Sequence, residues 1–574
     1  MNEIRVWAPV ARHLEVVAGE RRTPMTAVGN GWYAAPATSA AEDRRYHLSV
    51  DGSDPVTDPR TASQPEGING PSELVDHQAF PWTDGDWRGL PLTDAVIYEL
   101  HTGTFSEAGT FDGIVEKIPH LRNLGVNTVE IMPVATFPGK RGWGYDGVNL
   151  YAPHQQYGGP EALKRLVDAC HGAGIAVVMD VVYNHLGPDG NHLGEFGPYF
   201  TDVYKTPWGA ALNFDDRGSD EVRQFFIENA LMWLRDYHCD GLRLDAVQAI
   251  IDTSALQFLE NVTVAVRELE AERGRAFWLI AESDLNDPRI VSPRDRGGYG
   301  FDAQWSDDFH HALHAVLTGE RNGYYQDFGP LADLVTALRQ AFVYDGRYSR
   351  HRGRSHGRRP VGLPGTAFLG YIQDHDQVGN RARGERISQL VSPGLCRVAA
   401  TLVLTSPFTP LLFAGEEWGA ATPFLYFTDH DSAWLGRAVT EGRRREFAAF
   451  GWPSREVPDP QAATTFEASR LRWGELQNEP HATTLRWYRD LLRLRAQDAA
   501  LRDGRMDTVE LDFDEASRWL VMRRGATSVF CNFGTTPVSL PAAGDLVLAS
   551  EPGARVNQGR VELPAESAAV LRLG

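Results

Sequence analysis

PEALKRLVDACHGAGIAVVMDVV, residues 160–182, decides the fold. Its first part reads as an amphipathic helix that opens at a proline and stops at glycine, and its second part is an apolar run of strand length. A helix leading into a buried strand is the repeating unit of a parallel sheet covered by helices. Working outward, the same alternation recurs. Strand-like runs are AVIYELH from Ala95, TVEIMPV from Thr128, IAVVMDVV from Ile175, GLRLDAV from Gly241, FWLIAES from Phe277, FDAQWSD from Phe301, AFLGYIQDH from Ala367 and PLLFAGEE from Pro410. SDEVRQFFIENALMWLRDYH from Ser219 and the stretch 253–274 are helical patterns between them. Eight alternations predict a closed (β/α)8 TIM barrel over 89–500, with its active site at the C-terminal ends of the strands.

On the N-terminal side, IRVWAP, LEVVAG, GWYAAP and RRYHLSV are short β runs that predict a β-sandwich over 1–88, with 51–86 as a connector rich in Pro, Gly and Asp. Beyond the barrel, TVELDF, WLVMRRG, TSVFCNFG and DLVLAS predict a C-terminal β-domain over 501–574. Two barrel connections are too long to be simple loops. Residues 185–218 are expected to form a small inserted lobe, and 418–480 a second insertion. No internal repeat or low-complexity tract interrupts this order.

Composition narrows the function. Lys plus Arg total 56 against 76 Asp plus Glu, and a net charge of -20 argues against nucleic acid and anionic lipid surfaces as partners. No apolar run approaches the ~20 residues of a membrane helix, and MNEIRVWAPV lacks the pattern of a signal peptide. Cys170, Cys239, Cys396 and Cys531 lie far apart and fit neither a metal motif nor a disulfide framework, so free thiols in a reducing cytoplasm are expected.

The strand ends carry the chemistry. In GLRLDAV, Arg243 and Asp245 share the inward face and Leu244 faces outward. The guanidinium keeps Asp245 ionised, as a nucleophile requires, although a buried ion pair closing the barrel has the same pattern. FWLIA is apolar and ends at Glu282, so desolvation raises that carboxyl toward the range of a general acid. An N-cap role fits Ser283 or Asp284 better than Glu282. Retaining glycosidases hold two such carboxyls about 5 to 5.5 Å apart, a spacing that adjacent strands can supply. The run Asp374-His375-Asp376 adds a third carboxylate and an imidazole, and His185 follows the third strand. His310, His311 and His314 read as structural.

DVVYNH from Asp180, GLRLDAV from Gly241, AES from Ala281 and HDQ from His375 resemble the four signature regions of the α-amylase family of glycoside hydrolases. The resemblance implies a retaining double displacement with Asp245 as nucleophile, Glu282 as acid/base and Asp376 stabilising the transition state. Arg243 would orient Asp245, while Tyr145, His185 and His375 would line the subsite of the reacting glucose. Asp180 would be structural. The family's calcium ligand falls on Asn184, but no second acidic cluster completes such a site, so no metal and no other cofactor is expected. The N-terminal sandwich resembles carbohydrate-binding-type domains, with plain stabilisation of the barrel as an equal role.

Along almost its whole length the chain is similar to family members that hydrolyse the α-1,4 bond next to the terminal α,α-trehalose of maltooligosyltrehalose. YELHTGTFSEAGTF from Tyr98, AESDLNDPR from Ala281 and HDQVGNRARGE from His375 carry this likeness. It implies an α-glucan substrate and functional pairing with a maltooligosyltrehalose synthase. Trehalose recognition would need plus-side contacts, for which position singles out Asp284, Trp305, Asp307, Asp308, Gln377 and Arg381, all of which are also ordinary loop residues. Trp143 and Trp208 are either core or minus-side platforms. A glucan branching transferase, a general amylase-type hydrolase and a non-catalytic glucan binder remain as alternatives.

Overall fold

The computed structural model describes residues 3–573 apart from 207–208, 450–451 and 453–456. Its centre is a closed barrel of eight parallel strands: β1 (Ile97–Leu100), β2 (Thr128–Ile131), β3 (Ala176–Val181), β4 (Gly241–Leu244), β5 (Trp278–Ala281), β6 (Ala303–Trp305), β7 (Phe368–Gly370) and β8 (Thr409–Phe413). Each pairs with the next in chain order, and β8 closes on β1. Every strand-like run quoted above supplies one of them.

The two-residue period of a strand explains why these runs are apolar throughout. In β3, Ala176 and Val178 face the barrel interior with Ile97, Trp278, Ile280, Ala303, Leu369 and Leu411. Their neighbours Val177, Met179 and Val181 face outward into the layer formed with the helices. With both faces buried, each Val, Ile, Leu or Met here contributes roughly 1.5–3 kcal/mol relative to an exposed one.

The 185–218 lobe contains the short helix Leu193–Phe196 and the antiparallel strands Phe200–Thr206 and Gly209–Leu212. The 418–480 insertion contains the helices Ala433–Ala449 and Ala463–Ala468 and leads into the long helix His481–Gln497. A further excursion, absent from the sequence reading, is the hairpin of Asp345–Ser349 and Arg354–Gly357 between β6 and β7.

At the N-terminus, strands pair into a three-stranded and a four-stranded sheet, and part of the connector joins the latter through Ser72–Glu73. A five-stranded and a three-stranded sheet follow the barrel. The four cysteines are free and buried. Among the described residues no helix is long and apolar enough to cross a membrane.

Candidate active site

Arg243, fully buried, organises the rim of the barrel. On β4 it lies opposite Asp180 of β3. Its Nη1 donates to both Asp180 oxygens at 2.9 Å and to Asp245 Oδ1 at 2.7 Å. Its Nη2 lies 2.8 Å from Glu282 Oε2, an ion pair without hydrogen-bond alignment. One guanidinium thus faces three carboxyls from three adjacent strands. The chain turns sharply after Asp245: Ala246 takes a left-handed conformation (φ 40°), and its N–H donates to Glu282 Oε2 at 2.8 Å. Such a conformation costs a non-glycine residue roughly 1–2 kcal/mol, strain held by the packed rim around it.

Environment drives the two carboxyls apart. Burial pushes Asp245 up, but Arg243, His185 and the Asn184 amide at 2.7 Å outweigh it and hold the carboxyl below its ordinary value. At Glu282, burial dominates, the Asp245 and Asp376 charges add to it, and Arg243 offsets only part, so this carboxyl lies well above its ordinary value. Two titratable groups pushed in opposite directions in one site are the mark of an acid and an anion with separate tasks.

The walls are set by local backbone demands. Tyr145 follows Gly144, which has φ +103° and would place a Cβ 2.1 Å from Pro133 O, so only glycine fits this turn. Tyr145 donates to Asp180 Oδ2 at 2.7 Å and stacks on His375 at 5.1 Å between ring centres. His185 Nε2 lies 3.0 Å from Tyr145 O. Buried Glu99 on β1 accepts the His375 backbone N–H at 2.9 Å and pairs with its Nδ1. Burial opposes a charge on His375, but Glu99 prevails and raises it to about 10, so it is an imidazolium at neutral pH. Asp376 accepts from Asn380 Nδ2 at 2.7 Å.

These groups enclose a cavity of about 460 Å³ lined by Trp143, Tyr145, Asp146, His185, Asp245, Ala246, Gln248, Glu282, His375, Asp376, Asn380, Tyr426 and Arg443. Asp245, Glu282, Asp376, Tyr145, His185 and His375, singled out in the sequence, line it together, with Arg243 directly behind.

None of the six plus-side candidates lines the cavity, and three are engaged elsewhere in the fold. Trp305 is 2% exposed and points into the barrel beside Ala303, where the Arg243 guanidinium lies 4.5 Å from its ring centre, below the rim. Asp308 is consumed by Asn286 Nδ2 and the Val343 and Tyr344 N–H groups. Arg381 is locked in a bidentate pair with Glu320, at 2.9 Å for both contacts. Asp284 stays accessible on the rim, paired with Arg352 at 3.0 Å. Asp307 accepts from the Tyr371 hydroxyl at 2.5 Å, and burial raises it to about 7, Asp284 and Asp376 adding to the rise. Gln377 is half-buried, its N–H bonded to Asp374.

Trp143 forms a wall of the cavity, while Trp208 lies outside the described residues. His310, His311 and His314 stack on Tyr371, Tyr324 and Tyr325. Sequence reasoning missed Asp146, Gln248, Asn380, Tyr426 and Arg443. Of these, Asn380 alone carries a signal, standing one helical turn past Asp376.

Asn184 donates to Asp245 O as well as Oδ2, and among the described residues no group of three or more His, Cys, Asp or Glu is arranged to hold a metal ion.

A closed parallel barrel with oppositely tuned carboxyls at its C-terminal rim defines the class, an α-amylase-type glycoside hydrolase. The model of the alpha amylase catalytic domain matches residues 79–201, and a domain of unknown function, DUF3459, matches 504–570. The malto-oligosyltrehalose trehalohydrolase of Mycobacterium tuberculosis is 45% identical over 100% of this chain and 99% of its own length. The enzyme of the same name from Arthrobacter ramosus is 48% identical over 99% of each. A solved structure from Salmonella typhimurium superposes with a TM-score of 0.90 at 38% identity, covering 100% of this chain and 97% of that one. The chain belongs to the malto-oligosyltrehalose trehalohydrolase family.

Proposed function

We infer that this protein hydrolyses the α-1,4-glucosidic bond next to the terminal α,α-trehalose of maltooligosyltrehalose, releasing trehalose and a shortened maltooligosaccharide. The observation that carries the chemistry is Arg243, which holds Asp245 and Glu282 against one sugar-sized cavity while their environments shift them in opposite directions. Asp245 attacks the anomeric carbon as the glycosidic bond breaks, and the proton of Glu282 passes to the leaving oxygen. Water then displaces Asp245 from the glycosyl enzyme, giving its proton to Glu282. Asp376, on the helix His375–Gly379 that follows β7, stabilises the positive charge that develops on the ring. Tyr145, His185 and His375 hold the reacting glucose, and Asp284, Asp307 and Gln377 remain the candidates for the trehalose side.

An enzyme that builds the trehalosyl end, a maltooligosyltrehalose synthase, is the expected functional partner, and the buried free thiols favour the cytoplasm as the shared compartment.

Product analysis with maltotriosyltrehalose and, separately, maltopentaose tests the reading. Trehalose plus maltotriose from the first and little turnover of the second is the expected result. Equal cleavage of both would indicate a general amylase, and new α-1,6 branches on a longer glucan a transferase.

A further inference from the structure

The insertion between β8 and the long helix His481–Gln497 reaches back into the cleft. Arg443, on its helix Ala433–Ala449, donates from Nη1 to Asn380 Oδ1 at 2.9 Å and from Nη2 to Gly379 O at 3.0 Å. Those acceptors end the five-residue helix His375–Gly379, which opens with His375 and Asp376. Asn380 Nδ2 in turn donates to Asp376 Oδ1 at 2.7 Å, and its backbone N–H to Asp376 O at 2.9 Å.

Guanidinium, amide and carboxylate therefore stand in line, and their chemistry allows one arrangement. Arginine only donates, so it fixes the amide oxygen toward itself and turns the NH2 toward the carboxylate. A cation is also matched to the carbonyl end of a helix. Both partners are confined. A Cβ on Gly379 would lie 2.1 Å from Trp143 Cζ2, so Trp143 presses on the helix end. The Arg443 guanidinium lies 4.6 Å from the ring centres of both Tyr426 and Phe447.

We propose that Arg443 is a positioning residue that acts through Asn380 to orient Asp376, making the insertion a working part of the catalytic centre. This rests on the reading of Asp376 as a catalytic carboxylate. Because Arg443 also lines the cavity, direct contact with sugar is the rival role.

The full-length variants R443A, N380A and the double variant, assayed with maltotriosyltrehalose, separate the two. The relay requires each single change to lower kcat by roughly 10-fold, with KM within about 3-fold, since small misplacements of a reacting group are costly. It also requires the double variant to be no slower than the worse single one, because the two act in series. R443K, which keeps the charge but loses the paired donors, should recover only part of kcat. Additive losses, or a raised KM with unchanged kcat in R443A, would overturn the proposal in favour of a sugar contact. If R443A does not fold, R443K with N380S carries the same cycle. D376N serves as the control: wild-type turnover there would remove the catalytic reading of Asp376 itself, whereas loss in D376N with additive R443A and N380A would remove only the relay.

Discussion

Asp240 and Asp245 stand immediately before and after the same strand, β4, and are both buried, yet they are built for opposite purposes. At the lower end Asp240 is saturated. It accepts from His171 Nε2 at 2.9 Å, Val177 N at 2.8 Å and Trp87 Nε1 at 2.7 Å, while the other His171 nitrogen pairs with Asp84 at 2.8 Å. His171 is also stacked on Trp87 at 4.7 Å. At the upper end Asp245 shares its guanidinium with two other carboxyls and borders a cavity. An acid whose partners are complete stabilises a fold. One whose partners are shared, beside open space, is left with charge to spend on a substrate. Barrels divide their two faces in this way.

The largest effects should therefore separate cleanly between the two ends. Glu282→Gln is expected to lower kcat/KM by at least ~100-fold while leaving the thermal unfolding midpoint unchanged. Asp240→Ala should do the reverse. It leaves His171 Nε2, Val177 N–H and Trp87 Nε1 buried without their shared acceptor and costs about 3–5 kcal/mol in denaturant unfolding, with the folded fraction turning over at the wild-type rate. A large loss of turnover from D240A, or of stability from E282Q, would break the division.

Titration sharpens the contrast. Turnover needs Asp245 ionised and Glu282 protonated, so it fails as pH falls through the lowered value of the first or rises through the raised value of the second. Asn184→Ala removes a hydrogen bond from the ionised form of Asp245. The acid limb of kcat/KM should then move to higher pH by up to about one unit, with the alkaline limb unmoved.

At the lower end, burial opposes the charge on His171, but Asp240 and Asp84 raise it above its ordinary value of about 6.5. Its contribution to stability is complete below about pH 6.5 and fades as pH rises through the folded value. Asp84 shifts the other way: burial raises it, but His171 and His238 lower it further, so its contribution is complete above about pH 4 and fades in stronger acid. His171→Gln should flatten the decline of the unfolding midpoint as pH rises above about 6.5. A decline that persists unchanged would assign it to another group.

How far the sequence reveals this arrangement depends on whether a residue's partners are near it in the chain. The barrel follows from apolar runs interleaved with amphipathic helical segments, Glu282 from the apolar run before it, and the inward pair Arg243 and Asp245 from the alternation of side chains along a strand. The same alternation, applied to Ala303 and Trp305, would have turned Trp305 into the barrel. Asp308 is different, since its partners Asn286, Val343 and Tyr344 come from other segments and only tertiary structure brings them to it. Arg443 lies 63 residues from Asn380, on an insertion that no strand-end rule inspects.

The smallest expected effect concerns the hairpin after β6. Arg352 reaches Asp284, two residues past Glu282, but their side chains are 23% and 39% exposed, and such pairs contribute about 0–1 kcal/mol. The hairpin has a second hold on the same residue, His356 Nε2 to Asp284 O at 2.7 Å. Arg352→Ala should therefore leave the unfolding midpoint unchanged and lower kcat/KM on maltotriosyltrehalose by less than about 3-fold, as loss of one exposed pair allows. A loss above about 10-fold, confined to KM, would exceed anything that pair can supply. It would mean that the guanidinium touches the trehalose end itself, and the hairpin would then belong to the working face of the barrel.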